Sequence, residues 1–149
     1  MLAPINKIPP EILTLIPDFW NTDKRDQDII TLTHVCRTWR EVFVSRPSFW
    51  TRFDCLDEEK TRIYLERSKS SPVDLSLIRN QGISPDDPFF QIIPHATGRL
   101  RSLSMMGPSE NIQVITHLSH PAPLLENLSI CYKGGTLHHH PALPSTLFN

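Results

Sequence analysis

The stretch Asp28–Trp50, DIITLTHVCRTWREVFVSRPSFW, decides how the first third of the chain is read. Ile29, Leu32, Val35 with Cys36, Trp39, and Val42 with Phe43 recur at steps of three and four. That spacing predicts one amphipathic helix of about four turns. Thr31, His34, Arg37, Thr38 and Glu41 take the opposite face, and Arg37 and Arg40 read as solvated or salt-bridged. Pro47 ends the helix, since proline cannot continue the backbone ladder. Phe49 and Trp50 then follow as an apolar clip expected in the core.

Upstream, KIPPEILTLIPDFW (7–20) predicts a short helix. Pro9 and Pro10 suit its first turn, where the missing N–H has no intrahelical partner anyway. Glu11 lies near the positive helix end. Ile8, Ile12, Leu15 and Ile16 share a face, and Pro17 limits the helix to about two turns. The intervening NTDKRDQD reads as a polar loop, with Asp26 or Asp28 as the cap of the longer helix. Three tryptophans and Phe19, Phe43 and Phe49 fall in these few turns. So small a unit cannot bury that many large side chains by itself. The surplus predicts an exposed apolar patch of the kind that marks a partner surface.

Composition narrows the classes. The chain has 149 residues, 39% hydrophobic and 21% charged, with a formal net charge of −1. Such a balance argues against a general polyanion binder. A helix-turn-helix DNA binder is the rival reading of the two helices, and the wide apolar stripe and few basic residues argue against it. The three cysteines, Cys36, Cys55 and Cys131, form no C-x-x-C pair and read as a reduced intracellular chain. Cys36 reads as a small apolar filler. No secretory layout opens the chain and no run is long enough to span a bilayer, so the expectation is a cytoplasmic or nuclear protein with no membrane partner. His138, His139 and His140 are adjacent loop residues without a cysteine or carboxylate cluster, which does not make a metal site. No phosphate loop, nucleophile elbow or H-E-x-x-H occurs. The expectation is no enzyme, no cofactor and no metal.

Ile8-Pro9-Pro10-Glu11-Ile12-Leu13 with Ile16, then Val35-Cys36-Arg37-Thr38-Trp39-Arg40, then Phe49-Trp50, resemble an F-box of the fungal type over residues 4–51. Ile8 stands where the family usually has leucine, and Pro17 interrupts the first helix. The resemblance implies a three-helix module that docks on a Skp-type adaptor and, through it, on a cullin of a ubiquitin ligase. It implies Pro9, Ile12, Leu13, Ile16, Leu32, Val35, Cys36 and Trp39 as the adaptor-facing residues. The rest of such a chain presents an unidentified protein substrate.

Beyond Trp50, DEEKTRIYLERSK leads with acidic and trails with basic residues, as a helix dipole favours. VDLSLI, LRSLSM and LENLSI then repeat one strand pattern. Leu75, Leu103 and Leu128 align, as do Leu77, Met105 and Ile130. Helical stretches separate them: Pro88 begins one after Asp87, and Ser109 caps another carrying Ile112, Ile115 and Leu118. A period in the twenties with L-x-x-L-x-L resembles leucine-rich repeats. Their characteristic asparagine is absent, with Pro108 and Lys133 in its place. Residues 52–149 therefore read as the start of an incomplete, irregular repeat region, and the whole as α+β: a three-helix F-box followed by leucine-rich-repeat-like α/β solenoid units. Repeat arrays need a terminal cap, and HHHPALPSTLFN offers none, which reads as a fragment of a longer protein. A plain repeat scaffold that does not bind the adaptor is the remaining alternative.

Overall fold

The computed structural model describes residues 8–19, 25–79, 88–108 and 120–132. The first element, α1 (Pro10–Leu13), has Pro9 at its cap position and a proline in its first turn. The chain then makes a 3-10 turn over Ile16–Phe19 around Pro17. Two nine-residue helices follow, α2 (Arg25–Thr33) and α3 (Arg37–Ser45). A 3-10 turn, Pro47–Trp50, closes this unit.

The single four-turn helix expected over Ile29–Phe43 is thus two helices. Cys36 is extended, with φ −160° and ψ 176°. The His34 and Val35 N–H groups close α2 on the Thr31 and Leu32 carbonyls, in tight i to i−3 bonds. The Thr33 carbonyl would accept from Arg37 in a continuous helix, and the Arg40 Nε donates to it instead at 2.9 Å. The Thr33 hydroxyl bonds back to Ile30, a habit that weakens threonine inside helices. Breaking the rod lets α2 and α3 fold onto each other, burying Ile29 and Leu32 of one with Trp39 and Phe43 of the other. Asp26 and Asp28 lie inside α2, which begins before them, and so are not its caps.

After the helical unit come β1 (Arg52–Asp54), α4 (Glu58–Arg67), β2 (Val73–Ile78), α5 (Pro88–Ala96), a 3-10 turn over Thr97–Arg99, β3 (Leu100–Gly107) and β4 (Asn127–Tyr132). The strands form one sheet in the order β1-β2-β3-β4, every pair parallel. The register joins Leu75 to Leu103 to Leu128, and Leu77 to Met105 to Ile130, the same columns the sequence alignment gives. Strands followed by helices make a mixed α+β chain. The helix expected after Ser109, the residues beyond Tyr132 and the triple histidine lie outside the described residues.

One face of the sheet carries the core. Phe53, Leu75, Leu77, Leu103 and Met105 are buried, and α4 sits against them through Tyr64, whose ring lies 5.0 Å from Phe53. Each such side chain contributes about 1.5–3 kcal/mol by leaving water. The period-2 alternation leaves Asp74, Ser76, Ser102 and Ser104 partly open on the other face. Asp57 caps α4, its carboxylate accepting the Lys60 N–H at 2.7 Å. At the other end Lys69 takes a left-handed φ of 52°. The Arg99 guanidinium crosses from before β3 to the carbonyls of Leu65, Lys69 and Ser71 and to the Ser68 hydroxyl. Leu65 lies in the last turn of α4, and Lys69 and Ser71 lie just beyond it, so Arg99 ties the end of α4 to the start of β3.

Candidate functional site

The eight residues singled out in the first fifty divide by position. Pro9 is exposed, and Ile12 and Val35 are 52% and 42% exposed. Leu15, one turn beyond Ile12, is 49% exposed and joins them although the sequence reading passed over it as a contact. Ile16 and Cys36 are half-buried against the core. Leu13, Leu32 and Trp39 lie within the core. They hold the helices together and leave little side-chain surface outside the core.

Trp39 is 6% exposed, with its ring centroid 5.9 Å from that of Phe43. Phe43 in turn meets Phe49 at 5.3 Å. The Trp39 indole N–H is buried and has no acceptor among the described residues. Among the described residues of this unit, the exposed large aliphatic side chains are Ile12, Leu15 and Val35. Trp39, Phe43, Phe49 and Trp50 turn inward, while Ile12 of α1, Leu15 just after it and Val35 at the α2–α3 corner stay outside. Three large aliphatic residues left in water by one small unit are unfavourable unless covered.

Trp50 fastens this unit to the sheet. Its side chain is wholly buried, and its indole N–H donates to the Phe43 carbonyl at 2.8 Å. In an unbroken helix that carbonyl would accept from residue 47, which is proline and has no N–H. The Trp50 ring also meets Tyr64 at 4.9 Å, edge-on, and carries the Arg67 guanidinium at 4.3 Å. The sequence flagged Trp50 as core. Its partners on α4 required the fold.

The other face of the sheet carries a cluster of charged side chains. Asp74 binds Arg101 through two bonds of 2.9 and 2.6 Å and Arg52 through one of 3.0 Å. Arg101 is an extra residue in the strand pairing, between Leu100 opposite Val73 and Ser102 opposite Asp74. Burial opposes the charge on Asp74, but the two arginines outweigh it and hold the carboxyl below its usual range. This is a structural charge cluster. Among the described residues no group of three metal-ligating side chains occurs, and no helix is long and apolar enough to cross a membrane. Cys55 is buried, Cys36 half-buried and Cys131 exposed, all as free thiols.

The small helical unit leaves Ile12, Leu15 and Val35 exposed and is fastened through Trp50 and Tyr64 to the parallel-sheet region. Residues 5–56 match the family model described as F-box-like, so an F-box-like domain occupies the first third of the chain. The match runs past Trp50 through β1 to Leu56, beyond the 4–51 read from the motif. No curated protein and no solved structure matches this chain.

Proposed function

We propose that this chain is a non-catalytic substrate receptor of a cullin–RING ubiquitin ligase. Its F-box-like domain docks on a Skp-type adaptor that links it to a cullin, and the region beyond it presents a target protein. The observation that carries this reading is the F-box-like match over 5–56 falling on the segment that keeps Ile12, Leu15 and Val35 in solvent. Aliphatic anchors on helix faces are a common way for such modules to grip a groove. The sequential parallel strands support a repeat-like downstream region, whose open face would meet the target. The mechanism is proximity: a target held near a ubiquitin-charged enzyme reacts as though in one molecule. The chain itself makes and breaks no bond, takes no cofactor and works in the cytoplasm or nucleus without nucleic acid.

The test is co-expression with a tagged Skp-type adaptor. Wild type should co-purify, and Ile12→Asp/Val35→Asp should not, while both give the same circular dichroism. The scaffold reading draws on the burial of Leu13, Leu32 and Trp39. Folded wild type that fails to co-purify would favour it.

A further inference from the structure

A cavity of about 450 Å³ opens between α4 and the corner of α2 and α3, within the usual range of ligand sites. One wall is a single face of α4, where Asp57, Lys60, Ile63, Tyr64 and Arg67 recur at helical spacing. The other wall brings Ile30, His34, Arg40 and Val44, and Trp50 and Glu59 also line the cavity.

The charges in this lining are unevenly matched. Asp57 is engaged as the helix cap, and the Lys60 ammonium lies 2.8 Å from Asp54. Among the described residues, the Arg40 guanidinium is engaged through its Nε, on the Thr33 carbonyl. Arg67 lies over the Trp50 ring, 4.3 Å from its centroid. Neither guanidinium has a carboxylate within ion-pair distance among the described residues. Glu59 stands on the first turn of α4, at the end away from Arg67. The groove is thus acidic at one end of α4, apolar along Ile30, Val44 and Ile63, and cationic where Arg67 lies.

We propose that this groove binds a short extended segment of a partner protein in which an apolar side chain precedes a carboxylate. The aliphatic walls take the apolar side chain. Arg67 on one wall and Arg40 on the other take the carboxylate through charge-assisted bonds. The Trp50 ring holds Arg67 in place, so little side-chain freedom is lost on binding. From Asp57 to Arg67 the helix runs about 15 Å, the length of roughly four or five extended residues. Ile12 and Val35 are not among the groove's lining residues.

The experiment titrates the full chain into dye-labelled pentapeptides Lys-Ala-x-Ala-Asp, with x Leu, Ile, Val or Phe, and reads fluorescence anisotropy. Saturable binding is expected, weakened about tenfold or more when the terminal residue is an amidated Asn, and likewise by Arg67→Gln or Arg40→Gln. Melting curves show which variants remain folded, and either one suffices. Absence of saturable binding, equal binding of acidic and amide peptides, or binding untouched by both substitutions in folded protein overturns the proposal. Inorganic phosphate competing as well as peptide at equal concentration also overturns it, leaving a simple anion site.

Discussion

Trp50→Phe isolates the joint between the helical unit and the sheet. Phenylalanine keeps an aromatic ring against Tyr64 but removes the N–H that meets the Phe43 carbonyl at 2.8 Å. Pro47 cannot supply a replacement donor, so a buried carbonyl is left unmet at about 1–3 kcal/mol. The smaller ring leaves a void costing about 1 kcal/mol. Stacking of Arg67 weakens by roughly 0.5 kcal/mol. The sum is about 2.5–4.5 kcal/mol, or on the order of a 10 °C fall in melting temperature for a chain of this size. Calorimetric melting of wild type, Trp50→Phe, Arg67→Gln and the double variant measures it. The double variant should be less destabilised than the two single effects added, because both remove the same stack. Melting of Trp50→Phe within about 1 °C of wild type would refute the account of this joint.

Three further outcomes follow from the same contacts. Arg99→Met should lower stability by about 1–3 kcal/mol in denaturant unfolding, because the carbonyls at and just beyond the end of α4 lose the guanidinium donor, and Arg99→Lys should recover less than half. Lys69→Gly should raise stability by about 0.5–1 kcal/mol, since φ 52° suits glycine; a neutral or lower value would contradict that assignment. Asp74 has a folded pKa below its ordinary 3.8, so its contribution is complete above that value and is lost as pH falls through the folded pKa. Wild type should therefore lose melting temperature more steeply than Asp74→Asn below about pH 4, and the two slopes would coincide if the Arg52–Asp74–Arg101 cluster were inconsequential.

The sequence showed most where one residue's neighbours settle its role. Asp57 with Glu58, Glu59 and a trailing Arg67 announced α4, and the repeated L-x-L columns gave the register of three strands. It misled where tertiary contacts choose between local options. The three-and-four spacing from Ile29 to Phe43 fits one helix or two equally well, and the break at Cys36 depends on Arg40 reaching Thr33. Trp39 on an apolar stripe suits a core or an interface, and only the packing of α2 on α3 buries it. β1 is three residues long, with a single apolar Phe53, too short for alternation to register. Arg99 lies about thirty residues from the turn it clamps, a distance that no local pattern encodes.

The most direct measurement of the central claim is a calorimetric titration of a purified Skp-type adaptor with the full chain, beside Ile12→Asp/Val35→Asp. Wild type should bind one to one with a negative heat-capacity change, as apolar burial requires. The double variant, folded to the same melting temperature, should bind at least about a hundredfold more weakly. No heat from folded wild type, or equal affinity for both proteins, would contradict the account.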